Sequence, residues 1–286
     1  MASPSLDPAH LFSVKGLVVV ITGGGTGIGL MMAQALEANG ATVYIIGRRS
    51  QVLEAAASTS KHSNIIPLQG DVTSKDDLSR IAQTIQQRTG YINVLMPNSG
   101  AIGPSMLANM PPNPSIHQFA QHLWTPDFDA FNSVYDVNAT AVYYTIIAFL
   151  PLLAAGNNRG LKQTSQIITT GSVGAFVRTP VAGFGYEPSK AAVTHMMKQF
   201  ATALVPYDIR ANVLAPGFFV SEMSGELLGE VEKVGWEREV LPAMRVGDGE
   251  DLAGVVLFLV GRAGAYLNGC VLLNDGGRMC VLPGTY

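Results

Sequence analysis

Cysteine is scarce in this chain: among 286 residues only Cys270 and Cys280 occur. They lack a Cys-x-x-Cys spacing, which argues against a disulfide framework and for a reduced, intracellular protein. Charge is also scarce, at 14% of residues with a net of −3, so there is no basic footprint for nucleic acid. His117 and His122 are five apart, and His10, His62 and His195 are scattered, so the histidines have no metal-ligand spacing and no metal site is expected. Residues 1–8 have neither a cationic region nor an apolar core and do not read as a signal peptide. The longest apolar run, 139–155, is interrupted by Thr140, Thr145 and Pro151 and is short against the ~20 residues that span a bilayer. It is expected as a buried or interface helix, with no membrane partner. What is abundant is apolar residues, at 48%, and glycine, at 31. Both suit a cytoplasmic α/β enzyme folded as one domain over 1–286, behind a polar arm over 1–13.

The chain alternates β-branched runs with helical stretches. Leu17-Val18-Val19-Val20-Ile21 reads as a strand buried on both faces. It runs into Thr22-Gly23-Gly24-Gly25-Thr26-Gly27-Ile28-Gly29, and a helix is expected over 30–39. Strand, glycine turn and helix is the context of a dinucleotide site, although the spacing is Gly23-x-x-x-Gly27-x-Gly29 and not G-x-G-x-x-G. Small residues let the backbone approach a pyrophosphate, and the helix N-terminus offers amide donors. A second strand over 41–46 ends in Gly47-Arg48-Arg49. The acid that would hold a ribose 2′-hydroxyl is missing there, and two guanidinium groups suit a 2′-phosphate, which predicts NADP(H) over NAD(H). Further strands are expected over 65–69, 91–96, 166–170 and 211–215, with a helix over 74–88 capped by Ser74. Such alternation argues for a doubly wound parallel sheet with helices on both faces.

One further stretch carries chemistry. In Tyr186-Glu187-Pro188-Ser189-Lys190 a phenol and an ammonium lie one helical turn apart. A nearby cation favours the phenolate and would bring the phenol toward neutrality as an acid or base. Pro188 suits the first turn of a helix.

Taken in order, the glycine turn at 22–29, Asp71, Asn98-x-Gly100, Asn138, Ser172 with Tyr186-x-x-x-Lys190, Pro216-Gly217-Phe218-Phe219-Val220-Ser221 and Asn274-Asp275-Gly276-Gly277 resemble the pattern of a single-domain short-chain dehydrogenase/reductase. The resemblance spans about residues 14–278. It implies a Rossmann-like seven-stranded parallel sheet in the order 3-2-1-4-5-6-7. Tyr186 would be the proton donor in reduction, Lys190 would lower its pKa and hold the nicotinamide ribose, and Ser172 would orient the substrate oxygen. Asn138 would belong to a proton relay through water. The cofactor would lie against Gly23, Thr26, Gly27, Ile28, Gly29, Asp71, Val72, Asn98 and Gly100, with Pro216, Gly217, Phe219 and Ser221 at its nicotinamide end. Three positions depart from the pattern: Pro97 precedes Asn98 and would end the fourth strand early, Ser221 replaces a threonine, and Thr26 stands where many NADP-dependent members carry Arg or Lys. The 2′-phosphate expectation therefore rests on Arg48 and Arg49.

Two segments break the rhythm. Residues 101–125, rich in proline and apolar side chains, are expected as an insertion over the active site. Residues 218–245, with Phe218, Met223, Leu227, Leu228 and Trp236, would by the resemblance form a substrate lid; an amphipathic helix packed on the core is the other reading. Apolar linings of this kind suit a bulky apolar carbonyl or alcohol substrate. Long apolar helices over 128–153 and 188–204 imply, by the resemblance, a homodimer or homotetramer. The expected activity is a NADP(H)-dependent interconversion of a ketone and a secondary alcohol. Its rivals are an NAD-dependent alcohol dehydrogenase, a non-redox cyclase or isomerase, and a nucleotide sensor on the same fold.

Overall fold

The structure, a computed structural model, describes residues 5–104, 110–222 and 235–285. Seven strands form one sheet: β1 (Val18–Thr22), β2 (Thr42–Gly47), β3 (Ile65–Gln69), β4 (Val94–Met96), β5 (Gln166–Thr170), β6 (Arg210–Pro216) and β7 (Val271–Asn274). They pair in parallel in the order β3-β2-β1-β4-β5-β6-β7, as expected. Every residue of β1, β5 and β6 is buried, which is why these strands are continuous and not alternating.

A short helix, α1 (Pro8–Leu11), precedes the sheet; α2 (Gly27–Ala38), α3 (Ser50–Ser58), α4 (Lys75–Arg88), α5 (Ile116–Leu123), α6 (Phe128–Tyr135), α7 (Ala141–Asn157), α8 (Tyr186–Ala203) and α9 (Gly249–Val260) follow in order. Met32 and Leu36 of α2, Leu53 of α3, and Val256 and Leu259 of α9 pack on one face of the sheet. Leu78 and Ile81 of α4, Ile146 and Phe149 of α7, and Val193 and Met197 of α8 pack on the other. The chain leaves β1 toward β2 and β3, then crosses back to β4 on the other side of β1. That reversal opens a crevice at the C-terminal ends of β1 and β4.

Several boundaries differ from the sequence expectation, each for a physical reason. The helix after β1 starts at Gly27, so Gly27 and Gly29 belong to its first turn. The fourth strand begins at Val94, because the Ile92 N–H is donated to Leu152 O of α7; it ends at Met96, just before Pro97. The segment over 101–125 is partly regular: Ser115 and Gln118 form a capping box that starts α5 right after the proline run. Met106 lies outside the described residues, as do Met223, Leu227 and Leu228.

α6 and α7 are joined by one π turn, Asp136–Thr140, into a continuous helix. Over 128–157 this helix has 30 residues and contains an 18-residue window with a mean hydropathy of 1.7, long and apolar enough by length and composition to cross a membrane. Its inner face instead fills the core beside β4 and β5, through Val142, Ile146, Phe149, Leu152 and Leu153.

The same helix approaches the sheet closely at Gly156. A side chain there would overlap Ile92 O and lie 2.7 Å from Ser165 Oγ. Gly156→Ala is therefore expected to destabilise the protein by about 1–3 kcal/mol, read as a lowered urea midpoint with an unchanged slope.

Candidate active site

The crevice holds a cavity of about 390 Å³. At its floor, β1 passes into the glycine turn, where Gly23 has a φ of +65°. A side chain on Gly29 would overlap the Gly23 carbonyl oxygen and come within 2.5 Å of Asn98 Nδ2. Only glycine lets α2 dock this near the end of β1. Asn98, after β4, ties the two strand ends together: its backbone N–H donates to Thr22 Oγ1 at 2.9 Å and its Nδ2 to Thr22 O at 3.1 Å. Its Oδ1 accepts from Thr170 Oγ1 at 2.9 Å, which carries the tie on to β5.

Thr26 is the extended N-cap of α2, and its side chain makes no capping hydrogen bond. The first-turn amides of a twelve-residue helix thus meet the cavity without a side-chain cap, as an anion site requires. Gly23, Thr26, Gly27, Ile28, Gly29, Asp71, Val72, Asn98, Gly100, Pro216, Gly217 and Ser221 all border the cavity. So do Arg48 and Arg49 at the end of β2, where Gly47 supplies no acid. A backbone cradle without side chains, open helix amides and a cationic end form a set that fits a phosphorylated dinucleotide.

Ser172, Tyr186 and Lys190 border the cavity as well. β5 delivers Ser172 at its C-terminal end, where its Oγ accepts the Gly174 N–H at 3.0 Å. Tyr186 is the first residue of α8 and Pro188 lies in its first turn. Lys190 is buried one turn on, with Nζ 2.9 Å from Thr170 O and 5.9 Å from the centre of the Tyr186 ring. Burial pushes the Lys190 ammonium down to about 8.

The expected lowering of the Tyr186 pKa does not occur in this arrangement. Burial raises it; a hydrogen bond with Ser172 works the other way, and the Glu187 carboxylate adds to the rise. Lys190 donates to the Thr170 carbonyl, and burial is the largest influence on the phenol. The phenol is accordingly held in its protonated form.

Two other expected residues stand elsewhere. The Phe219 ring does not reach the cavity: it is 4% exposed and packs in the core against Gly247, because the chain after β6 turns inward there. Asn138 is also buried, within the π turn. Its Nδ2 donates to Ala101 O at 2.8 Å and Ser189 Oγ at 2.9 Å, and its Oδ1 accepts the Ala101 N–H at 2.8 Å. Both amide hydrogens are committed, so any part it takes in a water relay falls to its oxygens. Its visible effect is to lock α8 and the segment after β4 to the long helix.

Glu187, Thr170 and Glu222 shape the site without a signal of their own in the sequence. Glu187 is 7% exposed, accepts the Ala182 N–H at 3.0 Å, and is pushed up by burial. Its place inside the Tyr186–Lys190 stretch is the only hint the sequence offers. Thr170 matters through its carbonyl, which any residue would supply. Glu222 pairs with Arg49 across the cavity mouth at 2.6 Å. His195 is exposed on α8, and no cluster of three His, Cys, Asp or Glu suited to a metal occurs among the described residues.

The family model for short chain dehydrogenases matches residues 17–231. The chain belongs to the short-chain dehydrogenase/reductase family. It is an oxidoreductase of a fold that binds a nicotinamide cofactor. Short-chain dehydrogenase/reductase PhomF of Diaporthe leptostromiformis is 50% identical over 289 residues, covering 99% of this chain and 98% of that protein. Among solved structures, the RhlG/NADP active-site complex of Pseudomonas aeruginosa superimposes with a TM-score of 0.80 at 27% identity, covering 94% and 98% of the two chains. A 3-ketoacyl-(acyl-carrier-protein) reductase from Brucella melitensis, complexed with NADH, does so with a TM-score of 0.75 at 25% identity, covering 93% and 99%.

The buried ammonium makes a stability prediction. Because the Lys190 pKa falls from 10.5 to about 8, the unfolded chain binds more protons between those values. This group's penalty on folding is therefore full below about pH 8 and is relieved as pH rises toward 10.5. Lys190→Met should raise stability at pH 7 by roughly 1–3 kcal/mol, with the gain shrinking at alkaline pH in urea melts.

Proposed function

We propose that this family member reduces a ketone to a secondary alcohol with NADPH. The observation that carries the reading is the convergence of Ser172, Tyr186 and Lys190 on one end of a cavity whose other end is lined by Arg48 and Arg49. Bound NADPH supplies the hydride, so the chain itself needs neither a metal nor a covalent nucleophile. Tyr186 gives the substrate oxygen its proton; a phenol kept protonated by burial suits that direction. Ser172 donates to the same oxygen and orients it, where negative charge develops. Lys190 borders the cavity beneath the phenol and holds the ribose beside it, while the uncapped α2 amides take the pyrophosphate.

The substrate is a bulky apolar carbonyl compound, of the natural-product or 3-oxoacyl type. Exposed apolar side chains flank the reacting end in sequence: Ile102 follows Ala101, Phe184 lies two before Tyr186, and Val220 precedes Ser221. The name of the Brucella reductase favours an oxoacyl group, and the Pseudomonas complex favours NADP, though the former was solved with NADH. The chain works as one cytoplasmic domain with its lid over 218–245. It self-associates as a dimer or tetramer through the α7 face, where Tyr143, Tyr144 and Ile147 are exposed.

The decisive assay supplies NADPH deuterated at the transferable position with a panel of bulky ketones and 3-oxoacyl thioesters. Deuterium should appear on the new carbinol carbon. Tyr186→Phe should lower kcat by about 10²–10⁴ while leaving NADPH affinity intact. A product with the mass of its substrate and no NADPH consumed would replace this reading with the non-redox one. Since the acid form of Tyr186 is the active one, kcat/KM for reduction should hold through neutrality and fall only on the alkaline side.

Cofactor choice has its own test at Gly47, where a Cβ would meet only Leu53 at an ordinary 3.4 Å. Gly47→Asp should therefore fold normally. A carboxylate there repels a 2′-phosphate and accepts a 2′-hydroxyl, so the ratio of NADPH to NADH efficiency should drop by about tenfold or more.

A further inference from the structure

Arg49 is engaged in this structure. Its Nη2 lies 2.6 Å from Glu222 Oε2, and both side chains are 59% exposed. The pair bridges two segments 173 residues apart, the turn between β2 and α3 and the segment after β6. Arg49, Ser221 and Glu222 border the same cavity. Among the described residues bordering it, two are acids, Asp71 and Glu222. Asp71 Oδ1 already accepts the N–H and the hydroxyl of Thr73, at 2.9 and 2.7 Å. Glu222 alone of the two faces a guanidinium.

We propose that Glu222 moderates the cofactor selectivity of this site by competing for Arg49. Its carboxylate occupies the guanidinium on which a ribose 2′-phosphate would seat, so a 2′-phosphorylated nucleotide must displace it. A nucleotide with a free 2′-hydroxyl leaves the pair in place and can donate to the carboxylate, the contact that Gly47 withholds. A phosphate carries close to two negative charges and three acceptor oxygens against the single charge of a carboxylate, so it wins the guanidinium. The pair being largely exposed, solvent screening keeps its hold weak, and Glu222 tempers the preference without reversing it. This inference rests on the reading of Arg49 as a 2′-phosphate ligand.

The test is a binding measurement that needs no turnover. Adenosine 2′,5′-bisphosphate and adenosine 5′-monophosphate are titrated calorimetrically into the wild type, Glu222→Gln, Arg49→Gln and the double variant. Glu222→Gln is isosteric and exposed, so the fold should be preserved, and circular dichroism checks it. It should tighten the bisphosphate by about 2- to 5-fold relative to the monophosphate. Within the Arg49→Gln background the same substitution should change that ratio little. An unchanged or weakened bisphosphate affinity in Glu222→Gln overturns the inference, as does a gain that persists without Arg49. If the wild type binds the bisphosphate no better than the monophosphate, the 2′-phosphate reading itself fails and takes this one with it. If the wild type prefers the bisphosphate through Arg49 and Glu222→Gln changes nothing, only the role of Glu222 fails.

Discussion

Between the end of β1 and the start of α2 there is no room for a side chain. Gly29 lies so near the Gly23 carbonyl that even a methyl group would overlap it, and the Asn98 amide closes over the same turn with bonds to Thr22 and Gly23. From that contact the rest of the site follows. α2 can present its open amides at the crevice, β4 is fixed against β1, and Thr170 is drawn into the same network through Asn98 Oδ1. Thr170 in turn offers its carbonyl to Lys190. One tight backbone approach thus connects the phosphate end of the cavity to its reacting end through a continuous set of hydrogen bonds.

The two ends differ in their electrostatics. At the reacting end, Lys190 and Glu187 are buried and Tyr186 is largely shielded from water, so desolvation dominates: the ammonium is pushed down and both acids are pushed up. All three shifts favour neutral forms, which is what low dielectric surroundings impose. At the other end, Arg49 and Glu222 are more than half exposed and pair at the surface. The proposed proton transfer at one end and exchange of a charged ligand at the other would both gain from this division. Proton transfer profits from a fixed, dry donor, and ligand exchange from weakly held, screened pairs.

Rigidity at the reacting end comes from groups that do not reach the cavity. Asn138 uses its amide to join the π turn, the backbone at Ala101 and Ser189 of α8. Ser189 Oγ also donates to Tyr186 O at 2.6 Å, so the position of the phenol is tied to the long central helix. On the opposite side Glu187 holds the loop before α8 through the Ala182 N–H. The stretch from Tyr186 to Lys190 therefore sets two fastening groups, Glu187 and Ser189, between two that border the cavity.

Much of this was legible in residue order alone. Continuous β-branched runs announced buried parallel strands, the Gly23-x-x-x-Gly27-x-Gly29 spacing announced the cradle, and the helical spacing of Tyr186 and Lys190 put both on one face. Each depends on local periodicity or on backbone sterics, which a sequence carries directly. Other features depend on what comes near in space. How far burial raises the Tyr186 phenol, whether the Phe219 ring faces cavity or core, and which groups Asn138 binds were decided by packing. So was the pairing of Arg49 with Glu222, between segments with no local relation. Sequence by itself determined the sheet and the glycine turn, and it named the candidate reacting groups. Only the tertiary structure decided their protonation and their partners, because desolvation and charge pairing depend on distances between residues far apart in the chain.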